Sequence, residues 1–478
     1  MNLIDAMEDP ALFGRFFKPQ PDGTDTWARW KALGACLMGV AVPDEMQEVV
    51  RHHTGRTDLP VIGKPFTEAA LICGRRSGKS RMLATTAVHL AICRDYALYL
   101  APGELATIAI IASDRRQART IFRYVDALLR ETPMLKPLIV ESTAETITLS
   151  NRVQIEIATN NFRVTRGYTF AAVLLDEVAF FRDADSGSVN PDEELYRALR
   201  PGMLTIPGAV LLSASSPYRK KGILWNLHKR HFGVDGSRVL VWQASSSEMN
   251  STLEAGLIAE AYDDDPAAAS AEYGGLFRED LADFVDRQAL EHCVMRGVQE
   301  IPPVAGVRYK AFCDMSGGGA DSMCLAVSHL ENGVGILDLC REIRGPASPE
   351  GAVAEFSELL RSYNLRHVTG DKYAGLWPSE RFHAHGITYE PSTLSKSEIY
   401  QNLLPLLLSG GKVTLLDQKT LITQFANLER RTARGGRDSI DHPSGAGQHD
   451  DCSNAAAGAL LSIAGKPSNV AMWIALAS

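Results

Sequence analysis

Residues 73–80 read Cys73-Gly74-Arg75-Arg76-Ser77-Gly78-Lys79-Ser80, between an apolar run, Ala69–Cys73, and a helical pattern, Arg81–Cys93. A strand that enters a glycine-containing turn and leaves as a helix turns backbone N–H groups and a helix N-terminus toward an anion. In that setting Gly74, Arg75, Arg76, Ser77 and Gly78 form the cradle. Lys79 reaches the outer phosphates of a nucleotide and the Ser80 hydroxyl holds Mg2+. The stretch departs from G-x-x-x-x-G-K-[ST], because Cys73 takes the first glycine position and Gly74 comes one residue late. A lone G-K-S also fits a plain helix N-terminus, so the chain has to supply the other half of a nucleotide site elsewhere.

It does so at Ala171–Leu175, a second apolar run that ends in Asp176-Glu177. A buried strand ending in two acids suits a magnesium-binding Asp and a water-activating Glu. A third run, Ala209–Ser213, leads into Ala214-Ser215-Ser216-Pro217. Its hydroxyls are placed either to sense the γ-phosphate and relay its loss or simply to make a turn. With Ile108–Ala112 and Val239–Trp242, these runs are interspersed with helical patterns such as Arg115–Arg130 and Gly222–His231. That order predicts an α/β unit, a parallel sheet with helices on both faces. A short hairpin, Thr146–Leu149 with Val153–Ala158, intervenes.

Outward from this unit, residues 1–60 read as a helical lead-in containing Trp27 and Trp30, and 61–248 as the nucleotide domain. Residues 249–305 are rich in helix formers and acids, with a break at Asp263-Asp264-Asp265-Pro266, and read as a linker subdomain. From 306 to 466 a second pattern runs. Three strand-like stretches (Arg308–Met315, Met323–His329, Val334–Cys340) precede a helix, Pro349–Tyr363, and a strand, His367–Gly370. A helix from Asp450 to Ala464 closes it. Three consecutive strands followed by alternating helix and strand is the order of an RNase H-like fold. Asp314 and Asp371 end two of the strands, and Asp450-Asp451 opens the last helix. Each alone is an ordinary cap or turn residue. Together they form the carboxylate cluster that two-metal phosphodiester hydrolysis needs, holding Mg2+ or Mn2+. Asp321 is a spare acid nearby, and His383-Ala384-His385 reads as structural.

The chain has 478 residues, 45% hydrophobic and 22% charged, enough for two or three globular domains. A net charge of −8 excludes an all-over basic coat but not a local basic groove. Arg430, Arg431, Arg434 and Arg437 precede the last acids and are the better phosphate-contact cluster. Arg219-Lys220-Lys221 with His228-Lys229-Arg230 is the other basic run. Eight scattered cysteines with no C-x-x-C suggest neither a zinc site nor a disulfide framework, and fit a reducing compartment. No run approaches the length of a membrane span. The apolar tail at 467–478 reads as a segment that docks on the fold.

The stretches GRRSGKS, IASDRRQA, RGYTFAAVLLDEVAF, SASSPY, AEYGGLFRED, FCDMSGG, GDKYAG and QHDDCSNA give the chain, from about Trp27 to about Ala464, a resemblance to the large terminase subunit of tailed bacteriophages. Terminases commonly carry an arginine inside a deviant phosphate loop, so Cys73 and Arg75 strengthen the likeness. By that resemblance Lys79 and Ser80 bind ATP and Mg2+, Asp176 completes the metal site, Glu177 activates water, and Ser215 and Ser216 form a coupling motif. Asp314, Asp371 and one of Asp450 and Asp451, with Asp451 favoured, bind the nuclease metals. Arg75 in cis, or Arg163 or Arg166 from a neighbouring subunit, is the arginine finger. The function implied is packaging of double-stranded DNA into a procapsid by ATP hydrolysis, with cleavage of the concatemer, in the host bacterial cytoplasm and transiently at the portal vertex. The implied partners are the portal protein, a small terminase subunit and further copies of the chain in a ring. The alternatives are a translocase or a prophage-derived DNA-binding protein, either without nuclease activity.

Overall fold

The computed structural model describes residues 1–159, 167–181, 191–315, 322–344, 348–371, 377–431, 439–443 and 449–464. They divide into two compact units, Met1–Glu279 and Asp280–Ser478. The division falls inside the 249–305 stretch.

The first unit is built on a sheet of eight strands: β1 (Glu68–Cys73), β2 (Ala106–Ala112), β3 (Ile139–Ser142), β4 (Thr146–Leu149), β5 (Val153–Thr159), β6 (Thr169–Asp176), β7 (Val210–Ser215) and β8 (Leu240–Ala244). Their spatial order is β3-β4-β5-β2-β6-β7-β1-β8. All pairings from β5 to β8 are parallel. The expected hairpin is present as β4 and β5, but β5 also pairs parallel with β2, so the hairpin continues the sheet. Strand residues alternate between two cores. Leu71, Ile108, Ile110 and Leu212 enter one, with the helices Lys79–Cys93 and Arg115–Glu131. Ile72, Ile111, Val173 and Leu211 enter the other, with Leu195, Leu199 and Leu224. A period of two with both sets apolar means a sheet buried on both faces, as the sequence predicts. The lead-in contributes helices Ala28–Met38 and Asp44–Thr54, and Leu3, Met7, Phe13 and Trp30 join the first of these cores. The break at Asp265 is a helix cap: its carboxylate accepts from the amides of Ala267 and Ala268 to start Pro266–Glu272.

The second unit holds β9 (Leu281–Asp283), β10 (Val294–Met295), β11 (Tyr309–Asp314), β12 (Met323–Glu331), β13 (Val334–Ile343), β14 (His367–Gly370), β15 (Thr388–Pro391), β16 (Val413–Leu416), β17 (Glu429–Arg431) and β18 (Ser439–Asp441). Seven form a mixed sheet, β10-β16-β13-β12-β11-β14-β15. Within it β11–β12–β13 is an antiparallel meander, and β14 and β15 add in parallel beside β11. This is the RNase H-like arrangement. Helix Pro349–Ser362 covers one face through Val353, Phe356 and Leu360. Helix Asp451–Ala464 covers the other so closely that a Cβ at Gly458 would lie 2.3 Å from the Phe312 ring. A small antiparallel sheet, β18-β17-β9, completes the unit. No helix among the described residues is long and apolar enough to cross a membrane.

Candidate functional site

The first site forms where β1, β7 and β6 end side by side. Cys73 is the last residue of β1, fully buried, and its thiol is pushed up to about 12 by that burial. The tight approach falls one residue later. A Cβ on Gly74 would lie 2.3 Å from Ser246 Oγ and 2.5 Å from the Tyr273 carbonyl. Glycine is therefore required at position 74 and not at 73, which explains the displaced motif. Arg76 (φ 63°) and Gly78 (φ 105°) turn the loop through left-handed backbone. Three successive carbonyls are tied to the scaffold: Arg75 O accepts from Ser246 Oγ at 2.6 Å, Arg76 O from Asn250 Nδ2 at 2.9 Å, and Ser77 O from Trp30 Nε1 at 2.9 Å. The Gly74 and Arg75 amides, expected in the cradle, donate instead to the carbonyls of Ala244 at 3.1 Å and Glu272 at 2.5 Å, which leaves the amides from Arg76 onward to form a nest for an anion. The helix that follows, Lys79–Cys93, adds its N-terminal dipole.

Lys79 is 4% exposed. Its ammonium donates to Cys73 O at 2.8 Å, Gly74 O at 3.0 Å and Ser216 Oγ at 3.2 Å. Ser80 Oγ donates to Asp176 Oδ2 at 3.2 Å, so the loop and the end of β6 meet. The other Asp176 oxygen, Oδ1, is buried without a hydrogen-bond partner among the described residues. Burial, and then the charge of Glu177, push the Asp176 carboxyl up to about 7. A buried carboxylate with one unfilled oxygen beside a hydroxyl fits a hard divalent cation. Glu177 takes left-handed backbone, φ 53° and ψ 42°. Its Oε2 accepts from Ser215 Oγ at 3.0 Å and from the Ser216 amide at 3.3 Å. Ser215 and Ser216 thus bridge the two acids' strand to Lys79, which the sequence left open between a sensor and a turn. Arg75 pairs with Glu272, Nη1 lying 3.2 Å from each carboxylate oxygen. Arg163 and Arg166 lie outside the described residues.

The second site forms where β11 and β14 run side by side in parallel. Asn454, fully buried on helix Asp451–Ala464, donates to Asp314 Oδ2 at 2.7 Å and to Asp371 Oδ2 at 3.5 Å. Asp314 is pushed up to about 8, by burial first and then by Asp451, Asp450 and Asp371, against the pull of the Asn454 bond. Those four carboxylates therefore share one field. Asp450 accepts from Lys396 at 3.3 and 3.2 Å and from the Tyr400 hydroxyl at 3.0 Å. Lys396 also holds Asp441 at 2.6 Å. Several acids gathered around Asn454, with the Lys396 ammonium on Asp450 and Asp441, fit divalent metal. Asp321, Ser316–Gly319, Arg434, Arg437 and the tail lie outside the described residues. Of the other basic run, His228 is structural: it bonds Gln243 Oε1 at 3.0 Å and stacks on Phe232.

Sequence reasoning missed Asn454, Lys396, Tyr400, Trp30 and Ser246. Asn454 had a legible signal, a lone amide in an otherwise apolar and small helix three residues after Asp451. Lys396 and Tyr400 had none, since their partners are distant in sequence.

Residues 71–187 match the family described as terminase large subunit, T4likevirus-type, N-terminal. That stretch holds the phosphate loop, Asp176 and Glu177. No curated protein sequence matches the chain. Among solved structures, the chain is similar to the large terminase of bacteriophage HK97, at 14% identity over 96% of this chain and 99% of that one, with a TM-score of 0.40. It is similar to the large terminase of a thermophilic bacteriophage, at 14% identity over 85% of this chain and 96% of that one, TM-score 0.34. The large terminase nuclease of another thermophilic phage, G20c, is also similar, at 22% identity over 37% of this chain and 96% of that one, TM-score 0.33.

Proposed function

We propose, from the match of residues 71–187 to large terminase subunits, that the chain is a phage DNA-packaging motor. It hydrolyses ATP in its first unit to translocate double-stranded DNA and cuts that DNA in its second. The observation that carries the reading is the meeting of Ser80 and Asp176 beside a buried Lys79 and a Glu177 held by Ser215. In this reading Lys79 leaves the Cys73 and Gly74 carbonyls and Ser216 for the outer phosphates, and the loop amides from Arg76 onward bind the others. Ser80 and Asp176 hold Mg2+, which supplies charge neutralisation on the phosphates when bound. Glu177 orients and deprotonates the attacking water. Ser215 and Ser216 touch both Lys79 and Glu177, so a change at the phosphates alters bonds at the end of β7. Arg75 acts as a finger only after release from Glu272, and Arg163 and Arg166 remain the trans candidates.

In the second unit Asp314, Asp371 and Asp451 would hold Mg2+ or Mn2+, whose chemistry is activation of water and stabilisation of the pentavalent phosphate. Asp450 has both oxygens engaged by Lys396 and Tyr400, which favours Asp451 as the ligand of that pair. Asn454 fixes Asp314 and Asp371 in register. The portal protein, a small terminase subunit and a ring of further copies are the partners this function requires, in the host cytoplasm and at the portal vertex.

ATP turnover in two substituted chains tests the motor. Lys79→Ala removes the ammonium that faces phosphate, and both turnover and nucleotide binding fall. Glu177→Gln keeps shape and binding, and turnover falls by roughly a hundredfold or more. Normal turnover in Glu177→Gln contradicts the assignment of the base.

A further inference from the structure

Two histidines at the end of helix Asp44–Thr54 meet an acid of helix Ser246–Met249, the helix whose Ser246 holds the Arg75 carbonyl. One ligand atom from each of His52, His53 and Glu248 lies within 4.8 Å of the other two. His53 is 2% exposed and its ring lies against Trp242, centroids 4.8 Å apart. Its Nδ1 is 2.9 Å from the Gln243 carbonyl. A carbonyl can only accept, so Nδ1 carries the proton and Nε2 keeps a lone pair. Burial holds the His53 pKa below its ordinary value, which keeps the ring neutral. A ring nitrogen donating to a backbone carbonyl is how metal-binding histidines are oriented. His52 Nε2 lies 3.2 Å from Glu248 Oε1. The other Glu248 oxygen, Oε2, accepts from the Ser245 amide and hydroxyl, each at 2.7 Å. That pair of bonds fixes the carboxylate with Oε1 turned to the histidines.

We propose that His52, His53 and Glu248 bind a borderline divalent cation of the Zn2+ class, with the fourth position left to water. Two imidazoles and one carboxylate select Zn2+, Co2+ or Ni2+ over Mg2+ and Ca2+. The ion takes the place of the His52–Glu248 hydrogen bond and draws the ligand atoms to about 3.3 Å from one another, the spacing of a tetrahedral site with bonds near 2 Å. His52, with its side chain 70% exposed, is free to make that movement. Occupancy would tie helix Asp44–Thr54 to the segment whose Ser246 and Asn250 hold the Arg75 and Arg76 carbonyls. The site is then a clamp on the scaffold of the phosphate loop, separate from the Mg2+ that accompanies nucleotide.

The test uses the full chain, stripped of metal and held in excess Mg2+ so that the carboxylate sites are saturated. Zn2+ is titrated by calorimetry, and Co2+ by its visible absorption. The expected result is one site per chain that excess Mg2+ does not displace, with Co2+ bands of tetrahedral nitrogen and oxygen ligation. In both His52→Ala and Glu248→Gln, affinity falls roughly tenfold or more. His52→Ala alters an exposed side chain, so its fold is checked by an unchanged circular dichroism spectrum. No Zn2+ binding by the parent chain, or binding of parental affinity in both variants, overturns the proposal.

Discussion

Glu177 sits in left-handed backbone without being glycine, a conformation that stores roughly 1–3 kcal/mol. Ser215 and Ser216 hold it there, and a residue held against its preference at the end of a core strand suits a base that must be aimed. Asp314 shows the same tension electrostatically. Its folded-state pKa, about 8, stands above the ordinary 3.8, so the folded chain binds more protons there than the unfolded chain does. Stability from this group is therefore full below about pH 4 and lost as pH rises toward 8. The prediction compares two chains in EDTA. Asp314→Asn unfolds at higher denaturant than the parent at pH 8, by roughly 1–3 kcal/mol, and the gap closes toward pH 4. A gap that is absent at pH 8, or independent of pH, would show that the carboxylates do not share a buried field. The acids were legible in the sequence because charge at the end of an apolar run is conspicuous. Lys396 and Tyr400 were not, because a buried ammonium or phenol shows its purpose only once its distant partners are known, and Asn454 showed only as a lone amide in an apolar helix.

The elements that place these residues differ in how plainly the sequence announces them. The core runs at β1, β2, β6, β7 and β8 are apolar on both faces, and that pattern needs no knowledge of partners. β9, β17 and β18 read Leu-Ala-Asp, Glu-Arg-Arg and Ser-Ile-Asp, with no strand signature; they become strands by pairing with one another. The glycines carry a similar lesson, since Gly74 and Gly458 are required by neighbours and not by turns. At Gly458 the closing helix approaches β11 against Phe312, and that approach brings Asn454 to Asp314. Gly458→Val forces helix and strand apart, at a cost of about 1–3 kcal/mol in stability. DNA cleavage falls with it while ATP turnover is kept, because the residues proposed to act on ATP belong to the other unit. A Gly458→Val chain with parental cleavage would mean that the helix does not position the carboxylates.

At the scale of the whole chain, the sequence reads as two successive folds joined by a linker at 249–305, and the structure divides into two units between Glu279 and Asp280. The second unit begins earlier than its first long strand suggests, because β9 and β10 pair within it through β17 and β16. Such short strands leave too little periodicity to be read ahead of the fold. The account's central claim is that ATP hydrolysis and DNA cleavage belong to separate sites in separate units. The most direct measurement is ATP turnover and plasmid cleavage with Mn2+, recorded side by side on the full Asp371→Ala chain. The account predicts cleavage reduced by roughly a hundredfold or more, with ATP turnover within about twofold of the parent. Cleavage that persists, or ATP turnover that falls with it in a chain that is still folded, would contradict it.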